Sequence, residues 1–255
     1  MDVENMAAEI VAARKNGVQS KLNWPDPAPT MDDAMVIQAA VFEKHGSPSI
    51  GWKVGATNEG AKKAFGIDGP FYGPMVESGV MDSSSELKFS PCVMACEPEY
   101  AFKMARDFPR DGEALTTESI ASAVDKVHIA IEVIGRTIDN ADFANGIGVT
   151  LDFGGHVAFV LGPEVADWQS QDFANGVVDS KIDGEVVASG NGKSAMDDPI
   201  NSLLWMAKTL ADQGKQLKAG EWVSTGTCTA PTPVKGPCTY TGKFGHFGEV
   251  SVKFT

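Results

Sequence analysis

Between Met6 and Lys15 the apolar residues Met6, Ile10 and Val11 recur at the spacing of one helix face, and Gly17 stands where such a helix would end. This predicts a first helix over 6–15. The run Asn23-Trp24-Pro25-Asp26-Pro27-Ala28-Pro29 reads as a connector, because each proline lacks an N–H and pushes its predecessor towards extended geometry. Thr30 then reads as an N-cap, with Asp32 and Asp33 in the first turn and Met35, Ile37, Val41 and Phe42 as the apolar positions. A second helix is expected over Met31 to Lys44, before Gly46.

From Ser49 onwards the pattern changes to short β-rich runs punctuated by glycine, beginning with Ser49-Ile50-Gly51-Trp52-Lys53-Val54-Gly55. Strands are expected at His128 to Ile134, Val157 to Leu161, Val177 to Ile182, Val186 to Ala188, Trp222 to Ser224 and Val250 to Phe254. Helices are expected at about Thr117 to Val124 and at Pro199 to Gln213, the latter followed by Gly214. No internal repeat is visible. The expectation is one compact unit, with a helical N-terminal lobe over 1–75 ahead of a β-rich metal-binding body over 76–255.

A chain of 255 residues can bury a sizeable core without disulfides. No apolar run approaches the roughly 18 residues of a membrane span, and the acidic start Met1-Asp2-Val3-Glu4-Asn5 lacks the features of a secretory signal, so the cytoplasm is expected. A formal net charge of -13, with Lys and Arg scattered, argues against nucleic acid as a partner. Cys92 and Cys96 have zinc-like spacing, but no matching second pair follows in Cys228 and Cys238.

The candidate chemistry lies in the acids. Glu97-Pro98-Glu99 sits in an apolar stretch that reads as extended, where residues two apart share a face, so the two carboxylates are expected side by side. Like charges about 4 Å apart repel by about 4 kcal/mol at an effective dielectric near 20 unless a cation lies between them or one is protonated. Glu132, inside an apolar run, would complete a three-oxygen face suited to Mg2+ or Mn2+. The same spacing also fits a solvent-facing edge for Glu97 and Glu99, with Glu132 paired to Arg136 or Lys126.

Three further segments carry weaker signals. In Gly51-Trp52-Lys53-Val54-Gly55 the glycines permit close approach to a ligand and the lysine offers a cation or a proton, although a surface lysine beside a turn fits as well. Ser224-Thr225-Gly226-Thr227-Cys228-Thr229 is either a set of donors for a substrate carboxylate or an ordinary turn. His156, after two glycines, is either a base or a structural residue. No nucleophile elbow, phosphate loop or dinucleotide fingerprint is present.

Taken in order, Gly51 to Thr57, Phe71-Tyr72-Gly73-Pro74-Met75-Val76-Glu77, Glu97-Pro98-Glu99-Tyr100-Ala101-Phe102, Ala130-Ile131-Glu132-Val133-Ile134, Asp198 to Trp205 and Gly220 to Gly226 resemble the 2-keto-4-pentenoate hydratase family. That family includes the 2-oxo-hexenedioate decarboxylases and lies within the fumarylacetoacetate hydrolase superfamily. The resemblance implies an α+β fold, with a distorted mixed β-barrel or β-roll body and a helical N-terminal lobe. It also implies a homodimer or higher homo-oligomer, bound Mg2+ or Mn2+, and a small 2-oxo acid substrate. Residue by residue, it implies metal binding by Glu97, Glu99 and Glu132 and a catalytic role for Lys53; Glu77 is a second candidate for proton transfer, and Thr225, Gly226, Thr227 and His156 are candidate substrate contacts.

The expected reaction is hydration of a 2-hydroxy-2,4-dienoate to a 4-hydroxy-2-oxo acid in the catabolism of aromatic compounds. The alternatives are 2-oxo-enedioate decarboxylation, acylpyruvate hydrolysis and a non-catalytic scaffold. Hydrolysis is disfavoured because such relatives usually have aspartate as third ligand and an N-terminal His-Glu pair not found here. Two departures bear on the substrate: Glu77 replaces the usual aspartate, and Asp152-Phe153-Gly154-Gly155-His156 replaces the usual Asp-Asn-Ala-Ser-Ser.

Overall fold

The computed structural model describes residues 2–25, 28–139 and 146–255. Helix α1 spans Val3–Asn16, capped by Asp2 and closed by Gly17 in the left-handed conformation (φ 62°). Helix α2 spans Met31–His45, and Thr30 and Asp33 cap it reciprocally. The expected connector includes Asp26 and Pro27, which lie outside the described residues; its described flanks have no regular structure.

Strands β1 (Ser49–Gly55) and β2 (Phe71–Val76) flank a short helix α3 (Glu59–Phe65), which the sequence reading did not anticipate. Then follow β3 (Val80–Asp82), β4 (Ser85–Leu87), β5 (Val93–Met104), α4 (Thr117–Ala121) and β6 (Val124–Gly135). Helix α4 is therefore shorter than expected, and the strand begins where the helix was expected to continue. The remaining elements are α5 (Gly146–Leu151), β7 (His156–Glu164), β8 (Val177–Ile182), β9 (Glu185–Asn191), α6 (Pro199–Asp212), β10 (Trp222–Ser224), β11 (Thr232–Pro233), β12 (Cys238–Phe244) and β13 (Gly248–Phe254).

The strands form two mixed sheets. The larger has the order β2-β1-β10-β5-β6-β7-β3, with β11 also paired to β5, and the smaller has the order β4-β13-β12-β8-β9. Tyr100 and Phe102 of β5, Ile129 and Ile131 of β6, and Tyr240, Phe244, Val250 and Val252 of the smaller sheet share one core. Strands β5 and β6 thus turn one set of alternate residues into that core, leaving Glu97, Glu99 and Glu132 on the opposite face.

The N-terminal helices do not stand apart from this body. Met6, Ile10, Ile37 and Val41 pack with Phe71 and Val76 of β2, with Val149 and Leu151 of α5, and with Phe153. Buried Gln38 of α2 donates to the carbonyls of Tyr72 (3.0 Å) and Thr150 (2.6 Å). Within residues 1–75, helical structure ahead of the sheet runs only to His45, since β1 and β2 are strands of the larger sheet. Among the described residues, no helix is long and apolar enough to cross a membrane.

One polar contact anchors α1. Arg14 continues the Met6–Ile10 stripe and pairs with fully buried Asp152 at 2.7 Å. Asp152 also accepts from the Thr137 amide (2.6 Å) and hydroxyl (2.7 Å). The guanidinium additionally donates to the His156 carbonyl and lies 4.3 Å from the Phe153 ring centroid. Removing one partner from a buried ion pair leaves an uncompensated charge. Arg14→Ala is therefore expected to destabilise the fold by about 3–5 kcal/mol, measured by denaturant unfolding, with Lys15→Ala as the exposed control; a loss below about 1 kcal/mol would contradict this anchoring role.

Candidate active site

The pairing register of β5 and β6 builds the acidic cluster. Glu97 is directly opposite Glu132, and Glu99 is opposite Ala130. Ligand oxygens of the three carboxylates lie within 4.8 Å of one another. Glu99 and Glu132 are fully buried, while Glu97 is half-buried at a cavity wall.

Pro98 occupies mid-strand without breaking a ladder. Its carbonyl accepts from Cys228 N, so its nitrogen also faces the 225–231 loop, where β5 passes from pairing β10 to pairing β11. That loop supports Glu99: Ser224 Oγ and Gly226 N donate to Oε2 at 2.6 and 2.8 Å. A side chain at Gly226 (φ 100°) would place Cβ 2.5 Å from Thr57 Oγ1, so glycine is required at this approach.

Lys53 enters from β1, beside Ser224 of β10 and Gly73 of β2. Its Nζ donates to the Gly154 carbonyl at 2.9 Å and lies 3.1 Å from Glu132 Oε2. Burial alone would weaken its hold on the proton, but the charges of Glu132, Glu97 and Glu99 outweigh that effect and raise its pKa. The flanking glycines admit protein rather than ligand: Cβ at Gly51 would fall 1.9 Å from the Trp222 carbonyl oxygen, and Cβ at Gly55 would fall 2.4 Å from the Phe71 ring.

The acids show the opposite electrostatics. Burial, opposed by Lys53 and reinforced by Glu132, pushes Glu97 up to about 7. Burial and the neighbouring acids raise Glu99 well above the usual carboxylate range. Glu99 Oε1 is buried without a hydrogen-bond partner. An all-oxygen set with an unpartnered buried oxygen fits a hard divalent cation.

The cluster stands at one wall of a cavity of about 900 Å³. Lys53, Glu97, Gly226 and Thr227 line it, as do Thr57, Asn58 and Ser194, which the sequence reading had not assigned a role. Three expected site residues do not line the cavity. Glu77 is exposed in a turn beyond β2, four residues along from Gly73, the register partner of Lys53, and does not line the cavity. Thr225 is buried, with its hydroxyl donating to the Tyr100 carbonyl. His156 is fully buried outside the cavity lining, with Nδ1 3.2 Å from Glu132 Oε1. The four cysteines are free, and none joins a cluster of potential metal ligands among the described residues.

No protein-family model matches the sequence. Individual relatives do. A 2-keto-4-pentenoate hydratase from Burkholderia vietnamiensis G4 is 27% identical over 259 residues, covering 99% of this chain and 97% of the relative. The 4-oxalocrotonate decarboxylase from Pseudomonas putida G7, complexed with magnesium and adipate, superposes with a TM-score of 0.91 at 25% identity, covering 100% and 97% of the two chains. The chain is thus similar over most of its length both to 2-keto-4-pentenoate hydratases and to 4-oxalocrotonate decarboxylases. Further relatives of both kinds match this chain at 27–29% identity. Its α+β fold is of the fumarylacetoacetate hydrolase type; a putative protein of that family from Yersinia pestis CO92 matches with a TM-score of 0.58 at 14% identity, covering 82% of this chain and 95% of the other.

The raised Glu97 pKa has a consequence for stability without metal. Unfolding returns this carboxyl to its ordinary value near 4.5, so between pH 4.5 and about 7 the folded chain holds a proton that the unfolded chain releases. Relative to Glu97→Gln, metal-free wild type is expected to lose thermal stability as pH rises from 5 to 7. Parallel pH profiles for the two proteins in chelator would contradict the assignment.

Proposed function

We propose that this chain is a divalent-metal-dependent hydratase that converts a 2-hydroxy-2,4-dienoate into a 4-hydroxy-2-oxo acid, using Mg2+ or Mn2+ held by Glu97, Glu99 and Glu132. The observation that carries the reading is the buried three-carboxylate cluster beside Lys53 at the wall of a large cavity. When bound, a divalent cation supplies a Lewis acid for the carboxylate and keto oxygens of a 2-oxo acid.

The chain's own groups then have separable tasks. Lys53, kept protonated by its acidic neighbours, places a fixed positive charge at Nζ and holds the proton available there. Ser224 and the Gly226 amide orient Glu99, while Thr57 and Thr227 line the cavity with their hydroxyls donating to the Ser194 and Thr229 carbonyls. Ala61, Phe65, Met94, Ile134 and Val149 provide apolar wall that excludes water from the rest of the substrate. The proton-transfer role expected of Glu77 receives no support from its exposed position.

Among the described residues the only cations lining the cavity are Lys53, engaged by Glu132 and Gly154, and exposed Lys235. That scarcity favours a substrate with a single carboxylate over an enedioate. Decarboxylation is the second reading, supported by the TM-score of 0.91 to a decarboxylase. Self-association is part of the proposal and is supported by exposed Val177, Val186 and Val187 in the β8–β9 hairpin at the sheet edge.

The test is loss of ultraviolet absorbance from freshly generated 2-hydroxypenta-2,4-dienoate with Mg2+ or Mn2+, comparing wild type with Glu99→Gln. The expected result is metal-dependent formation of 4-hydroxy-2-oxopentanoate, with kcat/KM lowered by more than about 100-fold in the variant, a larger loss than removal of a group behind a ligand causes. Carbon dioxide release from a 2-oxo-enedioate without dienoate turnover would replace hydration by decarboxylation.

A further inference from the structure

We infer that His156 is a positioning residue, setting the orientation of the Glu132 carboxylate from behind the cluster. This rests on the reading of Glu97, Glu99 and Glu132 as a metal site. The first observation is a defect in sheet register. Phe159 pairs with Glu132 and Ala158 with Val133, so regular pairing would put Val157 opposite Ile134; instead His156 is opposite Ile134. The extra residue of this β-bulge turns His156 from the inter-sheet core onto the face of Glu132.

The second observation is the double contact to Glu132. Its Oε1 meets His156 Nδ1 at 3.2 Å, and its Oε2 meets Lys53 Nζ at 3.1 Å. All three side chains are buried to within a few per cent of complete. A carboxylate hydrogen-bonded at one oxygen and ion-paired at the other is restricted in orientation, and its Oε2, buried without a hydrogen-bond partner, stays available to a ligand. His156 Nε2 is buried without a hydrogen-bond partner, so Glu132 is the only polar contact found for the imidazole among the described residues. In this arrangement Nδ1 carries the hydrogen.

The third observation is how the turn preceding His156 is held. Phe153, Gly154 and Gly155 have φ of 57°, 63° and 77° in succession, a conformation costly for phenylalanine. Arg14 secures it by pairing with Asp152, by its contact with the Phe153 ring and by donating to the His156 carbonyl. The same turn supplies the Gly154 carbonyl that accepts from Lys53. One clamped turn therefore sets both groups that bracket Glu132.

The experiment is a Mn2+ titration followed by electron paramagnetic resonance on metal-depleted wild type, His156→Leu and His156→Asn. Leucine and asparagine side chains have the same number of heavy atoms and branch at the same carbon, but only asparagine can place a donor near the position of Nδ1. Expected results are one tight Mn2+ per wild-type chain, about 10–100-fold weaker binding for His156→Leu, and binding within a few-fold of wild type for His156→Asn. Wild-type affinity in His156→Leu overturns the inference, as does equal weakening in both variants. Failure of the wild type to bind Mn2+ overturns the metal-site reading instead. If the variants do not fold, 15N spectra of wild type with Mg2+ decide: a protonated Nδ1 and bare Nε2 support the role, and the reverse tautomer overturns it.

Discussion

Three carboxylates within 4.8 Å of one another in a protein interior set the terms for this structure. Each must be desolvated, and each repels the other two, so the cluster persists only with compensating positive charge or with protons. The chain provides one resident cation, Lys53, for three acids. Protons supply the remainder in the absence of metal, as the raised pKa values of Glu97 and Glu99 indicate. A divalent cation would replace those protons, which couples metal affinity to pH. The surrounding architecture serves this arrangement: β5 and β6 place the acids by register, Pro98 faces the break between two partner strands, and the 224–226 segment donates to Glu99.

The N-terminal helices contribute to the same constraint from a distance. Helix α1 sends Arg14 into the turn that ends in His156, and α2 sends Gln38 to β2 and α5. Unusual backbone conformation in that turn is sustained by contacts outside the sheet. A helical segment that looks like an appendage in sequence is thus part of the support for Lys53 and Glu132.

What could be read from the sequence followed local rules. Period-two placement of Glu97 and Glu99, the Thr30 cap and the bounds of β8 and β10 depend on neighbours within a few residues, and the structure agrees with each. Helix α3, not among the expected elements, left a local signal too: Asn58 stands at its start and Gly66 just past its end. Helix α5 did not: Gly146-Ile147-Gly148-Val149-Thr150-Leu151 is poor in helix formers, and its burial against α2 overrides propensity. Thr225, His156 and Glu77 do not line the cavity, for a different reason. Each residue lies beside a real site segment, but a bulge, a turn or a strand end decides where its side chain goes. Arg14 did leave a signal: it stands four residues after Ile10 and eight after Met6, a charge on a core-facing stripe.

The central claim is that Glu97, Glu99 and Glu132 together hold one divalent cation. The most direct test is a crystal structure of the wild-type protein grown with Mn2+, with anomalous scattering locating the metal. The account predicts a single strong peak coordinated by one or more oxygens of all three carboxylates. A peak elsewhere, or ligation by fewer than three of these residues at saturating Mn2+, would contradict it.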